Sequence, residues 1–483
     1  MVIFEFLLGG LIAFIVTLPA LFLPVAGKRQ KYQLFPLFCF HLINISALYA
    51  LLNFMFGSVS LGCAVSVILF YIFSVISCIK YDILQEPIYF SDVISLGTLV
   101  KNPKFFIFSI PFLGWVALIV IALCIPTSLW YCFSINLYLR IYALALICFS
   151  YLGYKVFFTR YRITEPDWQR DIGRFGVLGM LIAYWKCWKE QVPPVPLSVK
   201  GGKAKADIVL VVQCESFASP SIFCDPKARN IALPVFRQAE HHAVARGSLL
   251  VSGFGAYTMR TEYGVLFGRT EAELGFCRFD PFLTAQRDQT YALPYQLKAA
   301  GYQTVFMHPH SLEFYGRGQL MPEIGFDVVD DCAALQSAPR AETYISDTTL
   351  ADEIIERLET ASSPLFLYAV TMENHAPWPG TPSEALGHYL RHLQNSDAML
   401  GQLMKWFEGQ NKSALLVFFG DHRPSIRGIV YQDKKRSTPY VAVSFPVKAT
   451  EPIVSDLTPA ELHHLIRDFS VEFLNMETKS GNL

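Results

Sequence analysis

The chain has 483 residues, 53% of them hydrophobic and only 17% charged, with 40 basic side chains against 40 acidic ones. That balance excludes an ordinary soluble protein, and a formal net charge of +0 speaks against bulk binding to nucleic acid. It predicts membrane segments joined to a folded domain.

The apolar residues are concentrated in the first third. Windows over 4–26, 33–56, 58–79, 105–127 and 138–158 each approach the ~20 residues that cross a bilayer, so five spans are expected. Residues 4–26 are too long for a cleaved signal and lack its basic leader, and read as a retained span. Between the third and fourth windows, "KYDILQEPIYFSDVISLGTLVKNPK" (80–104) mixes apolar and charged residues, as a segment lying along the membrane surface does. The stretch "RYRITEPDWQRDIGRFGVLGMLIAYWKCWKE" after the fifth window repeats that character. "QVPPVPLSVKGGKAKA" (191–206) is rich in Pro, Gly and Lys and reads as a linker. The expected division is a transmembrane region over 1–160, an interfacial segment and linker over 161–206, and a folded domain over 207–483.

In that domain strand-like and helix-like runs alternate. "ADIVLVVQ", "YQTVFMH", "PLFLYAVTM", "SALLVFFG" and "YVAVSF" are apolar runs of strand length. "LPYQLKAAG", "SDTTLADEIIERLETA", "YLRHLQNSDAMLGQLMKWFEG" and "TPAELHHLIRDFSVEFLN" read as helices. Strands apolar on both faces that alternate with helices predict an α/β fold with a mostly parallel sheet.

Ligands of such sheets gather beyond the carboxyl ends of the strands. Glu215 stands there in "VVQCESF", His308 and His310 in "VFMHPH", Glu373 and His375 in "VTMENHAPW", and Asp421 and His422 in "FFGDHRP". A single polar residue at a strand end is ordinary; four strand ends carrying acids and imidazoles predict a shared site. Glu215, Asp421 and His422 offer two oxygens and a nitrogen, enough to hold one divalent cation with a position left open. The bland alternative makes Asp421 and His422 caps of a turn. In "SGFGAYTMRTEYGVLFG" (252–268), Thr258 follows a Gly-rich approach at a helix start, where a hydroxyl meets the positive end of the helix. Thr258 as a plain helix cap is the alternative there.

Together "QCESF", "GAYTMRTE", "HPHSLEFYGR", "TMENHAPW" and "FFGDHRP" resemble the lipoteichoic acid synthase-like branch of the alkaline phosphatase/sulfatase superfamily. The resemblance covers the whole C-terminal domain in the family's order, and includes a multi-span N-terminal half. It implies a membrane-anchored transferase that moves phosphoglycerol, or in sister groups phosphoethanolamine, from a phospholipid head group to a glycan. Residue by residue it implies that Glu215, Asp421 and His422 are metal ligands. Thr258 becomes the nucleophile and also touches the metal, while His308, Arg317 and His375 hold the phosphoglycerol group. Tyr315 falls where the lipoteichoic acid synthases use tryptophan, an aromatic wall that leaves the head group open. The implied cation is manganese first, with zinc or magnesium as alternatives. The implied partners are a phospholipid donor (phosphatidylglycerol first), a glycan or polysaccharide acceptor and the membrane, with no nucleic acid. Thr258 would attack the lipid phosphate and form a phosphothreonine as diacylglycerol leaves. Arg317 would clamp phosphate, and His308 or His375 would serve either in proton transfer or as plain hydrogen-bond donors.

Rivals share parts of this pattern. A phosphoethanolamine transferase would need Glu313 or Glu373 to meet the ammonium group, and a metal-dependent phosphatase would use water as acceptor. A sulfatase needs C/S-x-P-x-R, which "CDPKAR" (224–229) misses by one position. A membrane scaffold without catalysis would need the whole ligand set to be coincidental. Cys214, Cys224, Cys277 and Cys332 form an even set able to pair in an oxidising compartment, although Cys214 equally suits a buried strand. Head-group transfer implies a multi-pass protein of the bacterial inner membrane with its catalytic domain outside the cytoplasm. Lys28, Arg29, Lys31, Lys80, Lys101 and Lys104 pull the other way under the positive-inside rule; lysines that bind anionic lipid heads reconcile the two.

Overall fold

The computed structural model describes residues 1–23, 31–95, 119, 133–199, 201–333, 335, 340–341, 343–360, 364–431, 436–447 and 451–473. The chain divides into two compact units, Met1–Gln191 and Val192–Leu483.

In the first unit four helices are long and apolar enough to cross a membrane. They are α1 (Val2–Thr17, continued by a 3-10 turn to Leu21), α2 (Leu34–Phe56), α3 (Val59–Leu84) and, after the short α4 (Phe90–Ile94), α5 (Leu137–Arg160). Four of the five expected spans are thus helices, and the window over 105–127 lies, but for Ile119, outside the described residues. Cross-helix hydrogen bonds set the directions. Tyr49 Oη donates to Phe6 O at 2.8 Å and His41 Nε2 meets Thr17 Oγ1 at 3.0 Å, so α2 runs against α1. Tyr71 Oη donates to Val16 O and Cys78 Sγ to Leu23 O, so α3 runs with α1. Phe4, Leu7, Phe35 and Phe149 point outward exposed, as lipid-facing residues do. Helix α6 (Trp168–Glu190) packs on α2 through Phe40 and Phe175 (ring centroids 4.6 Å apart) and is broken at Gly176, φ 68°.

The second unit is built on an eight-stranded sheet in the order β11-β3-β10-β9-β2-β8-β4-β5. Its strands are β2 (Ile208–Cys214), β3 (Ala243–Leu250), β4 (Gln303–Met307), β5 (Val328–Asp330), β8 (Leu365–Val370), β9 (Ala414–Gly420), β10 (Ser437–Phe445) and β11 (Ile453–Val454). Only β10 runs against the others, paired antiparallel to both β3 and β9. The mostly parallel α/β fold is therefore as expected. Every residue of β2, β8 and β9 is buried, which needs helices on both faces. Ile208, Leu210, Val212 and Cys214 share one core with α10 (Asp347–Thr360) and α11 (Pro382–Glu408). Strand alternation sends Gln213 to the opposite face, where it meets α8 (Thr258–Phe267). Further helices of this unit are α7 (Pro234–His242), α9 (Arg317–Glu323) and α12 (Pro459–Ser470).

Several elements depart from expectation. Strands β3, β5 and β11 were not foreseen, their runs being short or interrupted by polar residues such as Arg246 and Ser248. The helix expected through Asn475 ends at Ser470, and Val471–Phe473 becomes β12, antiparallel to β1 (Gly202–Ala204). Val471 and Phe473 favour a pleated pairing over one more helical turn. A small ribbon, β6 (Arg340–Ala341) with β7 (Tyr344–Ile345), completes the strands. Cys214, Cys224, Cys277 and Cys332 are all free thiols, and of these only Cys224 is exposed.

Candidate active site

Strands β4, β8, β2 and β9 are consecutive neighbours in the sheet and parallel, so their carboxyl ends open side by side. Glu215 follows β2 directly, His308 follows β4, and Asp421 and His422 follow β9. The four strand ends singled out in the sequence are adjacent.

Glu215, Asp421 and His422 are buried, and one ligand atom from each lies within 4.8 Å of the other two. His422 Nε2 is 3.4 Å from Glu215 Oε1 and 3.5 Å from Asp421 Oδ2. The imidazole is held by Nδ1, which donates to Arg423 O at 3.2 Å and leaves Nε2 free to ligate. Asp421 Oδ1 accepts from the backbone N–H of Ser216 and of His422, each at 2.8 Å. Asp421 Oδ2 is buried and, among the described residues, has no hydrogen-bond partner. Burial and the nearby Glu215 carboxylate push the Asp421 carboxyl up to about 6. Burial pulls His422 down, but the Asp421 and Glu215 carboxylates outweigh it and its net shift is upward. An orphaned carboxylate oxygen facing a second acid and a free imidazole nitrogen fits a divalent cation. The donor set of two oxygens and one nitrogen suits zinc or manganese.

Thr258 is the first residue of α8, and its Oγ1 lies 3.4 Å from His422 Nε2. Tyr257 before it is left-handed, φ 76°. The approach is pinned to the loop after β9: Gly255 N donates to Arg423 O at 2.8 Å. Gly255 has φ 66°, and a Cβ there would lie 2.3 Å from Ser425 Cβ, so this position requires glycine. Thr261 Oγ1, from the next turn of α8, donates to Asp421 O at 2.7 Å. Ser216 is also left-handed (φ 53°), and its hydroxyl donates to Glu215 Oε1 at 2.9 Å. Strained residues flank both the acid and the hydroxyl.

A second cluster lies at the end of β4. Arg317 Nε and Nη2 donate to Glu262 Oε1 and Oε2 at 3.1 and 2.5 Å, and Nη1 faces His308 Nε2 at 3.2 Å. His308 Nδ1 donates to Val370 O at 3.1 Å. Burial and then Arg317 hold His308 well below an ordinary imidazole, so it is a neutral acceptor for the guanidinium. His375 Nδ1 lies 2.5 Å from Ala376 O, and burial lowers this imidazole to about 4. Both histidines are uncharged near neutral pH. The Tyr315 ring lies 5.2 Å from Arg317 Cζ and is packed edge-on against Phe282. Tyr344 stands between the imidazoles of His310 and His375, at 5.9 and 5.8 Å.

Two acids of the sequence reading are placed differently. Glu373 is fully buried and accepts from Asp347 N, at the start of α10, and from Asn395 Nδ2, both at 2.6 Å. Glu313 is exposed. Glu262, Ser216 and Thr261 were not singled out by residue type. The spacing of Glu262, four residues after Thr258 on one helix, was the available signal.

A sulfatase family model matches residues 207–453. The capsular polysaccharide biosynthesis protein RkpI of Rhizobium meliloti is 33% identical over 234 residues, 47% of this chain and 43% of that one. Lipoteichoic acid synthase 1 of Bacillus subtilis is 22% identical over 244 residues, 46% of this chain and 37% of that one. The chain thus spans less than half the length of these curated relatives. Among solved structures, lipooligosaccharide phosphoethanolamine transferase A of Neisseria meningitidis, an integral membrane protein, shares the fold over 95% of each chain. Its TM-score is 0.55 at 13% identity. The elements that carry or precede Glu215, Thr258, Arg317, Asp421 and His422 all lie inside the matched span, and the chain belongs to the sulfatase family.

Proposed function

We propose that this protein is a membrane-anchored, metal-dependent phosphoglycerol transferase that modifies or builds a cell-surface polysaccharide such as a capsule or a teichoic-acid-like polymer. The observation that carries the reading is the Thr258 hydroxyl 3.4 Å from His422 Nε2, at the start of a helix and beside the Glu215–Asp421–His422 group. The relatives named for capsular polysaccharide biosynthesis and lipoteichoic acid synthesis support it. Glu215, Asp421 and His422 would hold a divalent cation, which would lower the pKa of the nearby Thr258 hydroxyl and offset the charge of the phosphoryl oxygens.

Thr258 Oγ1 attacks the phosphorus of the donor lipid and gives up its proton. The bond to the diacylglycerol oxygen breaks, and that oxygen takes a proton as it leaves. An acceptor hydroxyl then attacks the phosphothreonine and frees Thr258. Arg317 directs N–H bonds at the phosphoryl oxygens, with His308 holding the guanidinium and Tyr315 stacking near it. His375 and Tyr344 wall the same opening.

Phosphatidylglycerol is the donor that the side chains favour. Glu373 is spent on Asp347 N and Asn395, and Glu313 is exposed, so neither is poised for an ammonium group. The arrangement assigned here is a transmembrane region over 1–160, an interfacial segment and linker over 161–206, and a catalytic domain over 207–483 outside the cytoplasm. Ser134 N donates to Phe56 O at 3.0 Å, whereas α3 ends at Leu84, at the opposite end of the bundle. Tyr154 Oη of α5 meets Asn44 Oδ1 of α2, so α5 runs against α2 and Met1 and Arg160 lie at opposite ends of the bundle.

The test is to incubate the purified chain with phosphatidylglycerol or phosphatidylethanolamine and follow diacylglycerol release and the mass added to Thr258. A phosphoglycerol adduct is expected. Faster release from phosphatidylethanolamine would reverse the donor, and diacylglycerol release that no glycan acceptor accelerates would make the protein a phosphatase.

A further inference from the structure

Arg317 and Glu262 are the most deeply buried Arg–carboxylate pair among the described residues, 2% and 0% exposed. The carboxylate takes two parallel bonds from Nε and Nη2, and Nη1 is held by His308. A guanidinium has five N–H bonds, so one on Nη1 and one on Nη2 have no acceptor among the described residues. Glu262 is itself fixed. Gln213 Nε2 meets its Oε2 at 3.4 Å, and Tyr368 Oη donates to Gln213 Oε1 at 2.6 Å. Residues four apart share a helix face, so Glu262 lies one turn from Thr258 on the same side of α8.

We propose that Glu262 is a positioning residue that aims Arg317 from the helix carrying the nucleophile, so that the two remaining N–H bonds meet the phosphoryl group attacked by Thr258. The proposal rests on the transfer reading above. A buried ion pair is a weak device for stability, since apolar residues of the same volume do as well or better. What the two-pronged contact supplies is orientation. The pair carries no net charge, so the phosphoryl group is met by directed donors and not by a free cation that would hold the phosphothreonine too firmly. Because Thr258 and Glu262 ride on one rigid turn, any shift of the nucleophile carries its phosphate-orienting arginine with it.

A double-mutant cycle on the full chain tests this, with Glu262→Gln, Arg317→Lys and the pair, read as kcat and as the rate of adduct formation on Thr258. Glu262→Gln retains the shape but offers an N–H where Nη2 needs an acceptor. It is expected to lower kcat by about 10²-fold while bound metal stays at the wild-type level. In the Arg317→Lys background the same change should cost less than about threefold, because its effect passes through the guanidinium. Losses that multiply across the two positions would overturn the proposal and leave Glu262 a structural residue. Should Glu262→Gln fail to fold, Glu262→Asp retains the charge but withdraws it by one methylene. Its kcat should then fall between wild type and Arg317→Lys, and a wild-type kcat would overturn the proposal. The cycle is run on both lipids. Turnover of phosphatidylethanolamine alone would reverse the donor while the coupling on that lipid still decides Glu262. Absence of any adduct on Thr258 would overturn the transfer reading, and this proposal with it.

Discussion

The cluster of Glu215, Asp421 and His422 and the cluster of Glu262, Arg317 and His308 are both buried at the sheet's carboxyl edge, but their polar atoms are spent differently. In the first, Asp421 Oδ2 has no hydrogen-bond partner among the described residues, and two carboxylates crowd one imidazole nitrogen. In the second, the carboxylate is doubly bonded and both imidazole nitrogens are used. The first cluster has polar atoms to offer a cation; the second is satisfied by protein groups. Metal removal should therefore disturb the first and leave the second in place.

The largest effect expected is on the hydroxyl between them. Thr258→Ala should lower turnover on the order of 10⁴-fold or more, with metal content unchanged by elemental analysis. Near-normal turnover would end the covalent mechanism.

A finer cut separates the clusters by stability. In chelator, Asp421→Asn should melt above wild type by about 3–6 °C, because an amide relieves the repulsion from Glu215 while its oxygen keeps the bonds from Ser216 N and His422 N. Added manganese or zinc should raise the wild-type melting temperature and leave that of the variant where it is. Equal metal responses in the two proteins would show the ligand set to be misplaced.

The smallest effect concerns the support behind α8. His463 of α12 is buried against that helix, with Nδ1 donating to Val265 O at 3.0 Å, and burial lowers its pKa to about 3. Its folded pKa lies below the unfolded value of 6.5, so the unfolded chain binds the extra proton first. Stability from this group is full above pH 6.5 and is lost as pH falls toward about 3. The loss should reach about 2 kcal/mol at pH 5. Denaturant melts of wild type and His463→Gln should show that slope only in wild type; parallel curves would refute the assignment.

How far the sequence discloses this site depends on which residues are long-range partners. Glu215, Asp421 and His422 were legible because each follows an unbroken apolar strand, and parallel strands gather their ends. Thr258 was legible from its glycine approach and helix start. Glu262 was not, because an acid in a helix is ordinary until its partner Arg317, 55 residues on, is seen to fold onto it. Glu373 misled for the matching reason: next to His375 it looks like a site acid, yet it caps α10. The edge strands β3 and β11 escaped because edge positions tolerate polar residues. The central strands were plain because both their faces are dry.

The ribbon of β1 and β12 has a mechanical consequence. Gly202 pairs with Phe473, Lys203 with Glu472 and Ala204 with Val471, at the point where the chain enters the catalytic unit. Behind the ribbon, Lys205 N donates to Ser470 O at 2.9 Å. Tyr302 Oη donates to Ala206 O at 2.9 Å and to Ser470 O at 2.8 Å. A tug on the incoming tether is taken first by Tyr291 Oη, which donates to Val195 O at 2.8 Å, and by Thr290 Oγ1, which accepts from Leu197 N at 2.9 Å, and then by this clasp, which opens from Gly202. Only after the clasp opens does tension reach Ile208 and run along β2 to Glu215. The ribbon thus sets paired backbone between the incoming chain and β2, the strand whose end carries Glu215.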